Sequence, residues 1–197
     1  MMVKLLMIKE LLLSYCLAIT NIRPQYKKEL PVSNMAFQDC YPEELSHCYG
    51  CGKNNHDGHQ LKSYWHTEQG NVSEQAAEET VAHFMPEQRH TAIPGFVYGG
   101  LIASLIDCHG TGSAAAMAYR QAERAMGTLP ALRFVTAALN VSYLAPTPMG
   151  VELELIGRFI EVKAKKVVVE ITVSANKVVC AKGTVVAVKM PDSMSPA

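Results

Sequence analysis

Gly99, Gly100 and Asp107 are the residues of this chain whose types and spacing most plainly point to chemistry. They lie in Pro94-Gly95-Phe96-Val97-Tyr98-Gly99-Gly100-Leu101-Ile102-Ala103-Ser104-Leu105-Ile106-Asp107, a glycine turn that runs into an apolar helix bearing one carboxylate. With no side chains on Gly99 and Gly100, the first backbone N–H groups of that helix and the positive end of its dipole stay open to a carbonyl or an anion. The same glycines would also serve a tight turn and close packing. Asp107 follows seven residues after Gly100, which at 1.5 Å per residue puts it on the order of 10 Å from those donors. One chain therefore cannot bring both groups to one carbonyl, whereas a dimer that sets the helix start of one subunit against Asp107 of the other can. A carboxylate desolvated beside an apolar group serves as a general base toward water or as a nucleophile toward a carbonyl, and the sequence leaves both routes open.

Three motifs in order resemble the hotdog-fold acyl-CoA thioesterases, in particular their phenylacetate-pathway-type branch. Tyr98-Gly99-Gly100 with Asp107 nine positions after the tyrosine is similar to that family's His-Gly-Gly and acidic residue. Cys48-Tyr49-Gly50-Cys51-Gly52-Lys53-Asn54-Asn55 looks like the motif that opens the same domain, and Thr136-Ala137-Ala138-Leu139-Asn140-Val141-Ser142-Tyr143 resembles its strand after the helix. The resemblance spans about residues 45–190. It implies an acyl-CoA hydrolase with composite sites in a homo-oligomer, a dimer or a dimer of dimers, and no metal or redox cofactor. Asp107, Gly99 and Gly100 would be catalytic, and Thr136, four residues before Asn140, would hold the attacking water or steady Asp107. Thr136 is equally a residue that strands favour. Tyr98 replaces the family's His, so no role that needs an imidazole carries over, and its phenol either bonds the turn or fills space.

Those residues need a helix and a sheet to hold them. A helix is predicted over about 98–119, with Gly110 and Gly112 weakening its second half but letting a sheet or partner helix approach closely. From residue 136 the pattern turns β-branched, in runs over 136–144, 151–162, 166–175 and 177–189, broken by Gly150, residues 163–165 and Ala175-Asn176 as hairpins would be. A strand is predicted over 61–67, and 71–84 is assigned as strand only by analogy, because its Glu- and Ala-rich middle also suits a helix. One long helix followed by an antiparallel meander makes an α+β domain, and a curved antiparallel sheet wrapped around one central helix is the hotdog fold. The expected organisation is a leader and linker over 1–46 that need not belong to the core, the domain over 47–190 and a tail over 191–197.

Within 197 residues there is room for one well-packed domain. Charged residues make up 18% at a formal net charge of +0, which disfavours nucleic acid and anionic membranes as partners. Six scattered cysteines do not form the framework of a small secreted protein, so a cytoplasmic location is expected. The apolar run in residues 1–20 is split by Lys9 and Glu10, is too short for a membrane span and lacks a clear cleavage site. Those first 34 residues read as a peripheral helix or as no part of the native protein, with Met35 an alternative start.

Among the remaining candidates, Val97, Tyr98, His90, Asn140, Arg133 and Lys165 are assigned to substrate binding. His90 would line the pocket mouth or, more simply, sit exposed in its loop. Lys163, Lys165, Lys166, Arg133 and Arg158 are either solvated surface or contacts for the phosphates of CoA. Cys48 and Cys51 with His56 and His59 formally offer four zinc ligands, but only four residues separate the pairs, so a structural turn without metal is expected. His109, two residues past Asp107, points to another helix face and belongs to packing. Two other functions compete: a non-catalytic acyl-CoA sensor, against which the buried carboxylate argues, and an enoyl-thioester hydratase, which would want Asp107 and His109 on one face.

Overall fold

The β-rich second half folds as its alternation requires. In the computed structural model, which describes residues 35–66 and 79–194, strand β5 (Lys166–Ala175) buries every second residue from Val167 to Ala175. Such a period of two presents one continuous apolar face. It pairs antiparallel with β4 (Leu153–Lys163) on one side and β6 (Val178–Lys189) on the other. The β5–β6 hairpin turns on Asn176 and Lys177, both at positive φ (50° and 65°), the backbone of a tight two-residue turn matched to strand twist. Strand β3 (Phe134–Tyr143) adds to the far side of β6, while β2 (Glu79–Phe84) and then β1 (Ser63–Trp65) extend the other side. The six strands run in the order β1-β2-β4-β5-β6-β3.

Helix α1 (Gly99–Gln121) lies against β3, β4, β5 and β6. It is apolar on nearly every side, as a helix enclosed by a sheet must be. Leu101, Leu105 and Ile106 meet Leu155, Val169, Ile171 and Val185 in the core, each almost wholly shielded from water. Burying a side chain of that size contributes about 1.5–3 kcal/mol. The small residues let the sheet come close: a Cβ at Gly110 would lie 2.5 Å from Val185 Cγ2. This is the α+β arrangement expected; the limits of β1 and of β3 to β6 agree with the sequence to within two or three residues, and the run over 71–84, assigned as strand only by analogy, forms β2 at its described end, its first part lying outside the described residues.

One feature differs from expectation. The stretch up to residue 46, read as extended linker, is packed from residue 36 onward: Phe37–Cys40 and Glu43–Leu45 form single 3-10 turns, and Ala36, Phe37, Gln38 and Tyr41 are buried. Phe37 meets Trp65 edge-on at 5.4 Å, and the Gln38 amide donates to Ser63 Oγ at 2.9 Å while its carbonyl accepts the Ser63 N–H at 2.8 Å. The local prolines gave a turn-rich signal, but apolar and amide side chains between them dock the segment on α1 and β1. The leader over 1–34, the residues from Thr67 to 78 and the last three residues of the tail lie outside the described residues. Among the described residues, no helix is long and apolar enough to cross a membrane.

Candidate active site

Asp107 sits two turns into α1 on the side that faces β3, and the Thr136 hydroxyl donates to its Oδ1. Sequence spacing cannot supply this contact. A β-bulge lies at the same place, where the β3–β6 register shifts between Thr136 and Ala138, and bulges can re-aim side chains beside sites. The carboxylate is half-buried, and that desolvation raises its pKa above the usual aspartate value, with the Thr136 hydrogen bond pulling it down and the Cys48 thiolate adding to the rise. A half-desolvated carboxylate held by one hydroxyl is a base whose proton affinity has been lifted toward neutrality. Because the ionised form is the one that acts, kcat/KM should fall as pH drops through this raised pKa. The acidic limb of a pH–rate profile is expected above the ordinary aspartate range, and a limb at or below that range would contradict it.

The helix start is built as a donor site. Val97 N–H donates to the Thr147 carbonyl at 2.9 Å and Tyr98 N–H to the His90 carbonyl at 2.8 Å, which fixes the chain just before α1. Tyr98 caps the helix with extended backbone and no side-chain hydrogen bond. Its carbonyl takes the N–H groups of Leu101 and Ile102. The N–H groups of Gly99 and Gly100 find no acceptor among the described residues, so both remain free to polarise a carbonyl oxygen. Tyr143 of β3 donates its hydroxyl to the Gly99 carbonyl at 2.8 Å, a support the sequence did not suggest. The ring of Tyr98 is exposed and lies over Gly100, where a Cβ would come within 2.2 Å of it, so Tyr98 fills space above the donor turn.

The other candidates divide. Val97 is buried in the core. His90 is not the exposed loop histidine that was the simpler reading: it is buried at 7% exposure, accepts the Glu87 N–H on Nδ1 at 2.9 Å and packs against Phe84 and His59. Its main-chain carbonyl, not its ring, serves the site, by holding Tyr98. Asn140 is exposed on β3 opposite Thr184. Arg133 lies over the Tyr41 ring at 3.5 Å. Arg158 pairs with Glu79, and Lys163 and Lys166 both pair with Glu161, whereas Lys165 is exposed in the β4–β5 turn without an ion pair among the described residues.

His109 points away from Asp107, into the sheet. Its Nδ1 is 2.9 Å from Ser63 Oγ and its Nε2 is 3.3 Å from Thr80 Oγ1, and Thr80 continues to Ser113 at 2.6 Å. Full burial pushes its pKa down to about 4. The unfolded chain takes up that proton near 6.5, so between these values the unfolded state holds more protons and stability falls as pH is lowered. From pH 7 to pH 5 the loss from this one group is expected at about 2 kcal/mol. Urea unfolding should show His109→Gln losing less stability over that interval by about this amount; equal pH slopes for the two proteins would refute the buried neutral ring.

A family model described as Thioesterase superfamily matches residues 94–182. The Thioesterase superfamily protein from Shewanella loihica PV-4, a solved structure, is 58% identical to this chain, over 74% of it and 96% of the Shewanella chain, at a TM-score of 0.54. The chain belongs to the thioesterase superfamily. Its long helix against a six-stranded antiparallel sheet is the hotdog fold. More distant likenesses include a Streptococcus mutans protein solved bound to acetyl CoA, 21% identical over 57% of this chain and 82% of that one at a TM-score of 0.47. The E. coli PaaI protein of the phenylacetic acid degradation operon is 14% identical, over 58% and 74%, at 0.48. No curated protein matches the chain. Within this superfamily member, the matched span contains the donor turn, Asp107 and Thr136.

Proposed function

We propose that this superfamily member hydrolyses an acyl-CoA thioester to a carboxylic acid and CoA. The observation that carries the reading is the half-buried Asp107 carboxylate, held by Thr136, on a helix whose first two N–H groups are free. The Gly99 and Gly100 donors would take the thioester oxygen as it gains charge, a contribution of about 2.7–4 kcal/mol to such a transition state. Asp107 would draw a proton from water or attack the carbonyl carbon, and Thr136 would orient its carboxylate. No metal or redox cofactor enters these steps.

Support for a shared site comes from β3. It is ten residues long and forms an edge of the sheet. Most of its second half is exposed, including Leu139 at 40% and Tyr143 at 55%. Long uncovered apolar edges invite pairing with a second strand, and Thr136 on this edge strand is what holds Asp107. A second copy docked along β3 would bring its own donor turn toward Asp107. The hydratase reading wants an Asp and His acting together, and the burial of His109 between Ser63 and Thr80 argues against it. A panel of short, long and aryl acyl-CoAs, followed by release of free thiol, tests the proposal: turnover of at least one class is expected, and a folded protein that turns over none would refute it.

A further inference from the structure

The loop over residues 48–61 folds back so that Cys48 and Cys51 straddle Cys108 of α1. The three Sγ atoms lie within 4.8 Å of one another, and Cys48 Sγ and Cys108 Sγ are 3.8 Å apart. Two glycines make this possible. A Cβ at Gly50 would lie 2.3 Å from Cys108 Sγ, and one at Gly52 would lie 2.5 Å from the Cys48 nitrogen. The turn is closed by Gly52 N–H on the Cys48 carbonyl at 2.7 Å and tied down by Leu61 N–H on the Gly50 carbonyl at 3.0 Å. Gly50 and Gly52 thus permit the close approach that brings Cys48 and Cys51 to Cys108.

Four thiolates, or three and a solvent ligand, around zinc at about 2.3 Å define a tetrahedron whose sulfur–sulfur edge is about 3.8 Å. The Cys48–Cys108 separation matches that edge. The histidines of the same segment do not join: His59 packs its ring on Tyr49 and His90, and neither it nor His56 belongs to the cluster. What gathers instead is a set of soft donors only, which selects zinc or another thiophilic ion over magnesium or calcium. Cys51 and Cys108 are buried while Cys48 is exposed, so the cluster opens to solvent at Cys48, where a solvent ligand would complete the four-coordination of a bound ion. Arg133 acts electrostatically on Cys51 and offsets the excess negative charge of three thiolates. The Cys48 sulfur already takes hydrogen bonds from both other thiols and from the Cys51 and Gly50 N–H groups, an arrangement that favours its thiolate.

We propose that Cys48, Cys51 and Cys108 bind one thiophilic divalent cation of the zinc type, which staples the 48–61 loop to α1 one residue from Asp107. The argument for this site does not rest on the hydrolytic reading, and it adds a role for Cys108 that spacing alone hides, since Cys108 lies far along the chain from the other two cysteines.

The test uses the whole chain, stripped by chelator under reducing conditions and titrated with cobalt(II), then zinc(II). The expected result is one cobalt per chain with thiolate-to-cobalt charge-transfer absorption and tetrahedral visible bands, both abolished by one equivalent of zinc. Cys48→Ser and Cys51→Ser should lose the absorption, while Cys40→Ser, Cys180→Ser and a His56→Ala/His59→Ala double variant should keep it. Should Cys51→Ser fail to fold, Cys48→Ser decides the matter, because its side chain is exposed. Absence of charge-transfer absorption in the parent protein, or equal absorption in folded Cys48→Ser, would overturn the site. Neither readout depends on thioester turnover, so the metal site and the proposed activity stand or fall separately.

Discussion

Asp107→Asn is expected to fold, to assemble as the parent does and to hydrolyse acyl-CoA at least about a hundredfold more slowly, the scale of a lost general base. The amide keeps the shape of the carboxylate and still offers an oxygen to the Thr136 hydroxyl, so geometry survives while proton acceptance does not. Stability should hold or rise, because burial works against the ionised Asp107 and a neutral amide escapes that cost. Thr136 acts through Asp107, and its variants report differently. Thr136→Val removes the hydrogen bond that lowers the Asp107 pKa, so the acidic limb of the pH–rate profile should move to higher pH, and Thr136→Ser should move it back. Parent-like turnover in a folded Asp107→Asn protein would remove the aspartate from the mechanism. An unmoved limb in Thr136→Val would leave Thr136 a strand residue only.

The second large effect is a recovery. Asp107→Ala and Gly100→Pro should each be inactive alone, the first for want of the carboxylate and the second for want of a backbone donor. Proline is tolerated in the first turn of a helix, and the exposed Tyr98 ring above Gly100 can swing aside. Mixed and allowed to exchange subunits, the two proteins should regain activity approaching a quarter of the parent level. With statistical exchange of equal amounts, half of the dimers are mixed, and each mixed dimer has one site made of two intact halves and one made of two damaged halves. If each subunit carried a self-contained site, every site would keep a defect. Mass spectrometry or differential tags must show that exchange took place; activity that stays at the level of the unmixed variants in exchanged dimers would mean the donors and the carboxylate belong to one chain.

Much of this site was readable because its signals are local. The donor turn and the helix follow from Gly99, Gly100 and the apolar run after them, and the four β-branched stretches with their turn residues fall close to β3, β4, β5 and β6. What the sequence left open needed contacts between distant segments. Thr136 reaches Asp107 beside a bulge, and no periodicity announces which strand residue will be re-aimed. His90 reads as a loop residue because its neighbours are polar, yet the rings of His59 and Phe84 pack on it and on each other and bury it. Residues 36–46 mix apolar residues with Asp39, Pro42 and Ser46 in no regular period, so their docking by Phe37 and Gln38 is visible only once Trp65 and Ser63 are placed. The cysteine pair pointed to a turn, and only the fold supplies the third sulfur from α1.

If the chain passes an acyl group from the CoA sulfur to water, its products reveal it. The wild-type protein is incubated with a saturated acyl-CoA and, separately, with the matching 2-enoyl-CoA, and all CoA species and acids are measured by mass spectrometry over time. Free CoA and free carboxylic acid should appear in equal amounts from the saturated substrate, with none of either above background in Asp107→Asn. Unchanged acyl-CoA that co-purifies with the protein, or a hydroxyacyl-CoA with its thioester intact from the enoyl substrate, would contradict it.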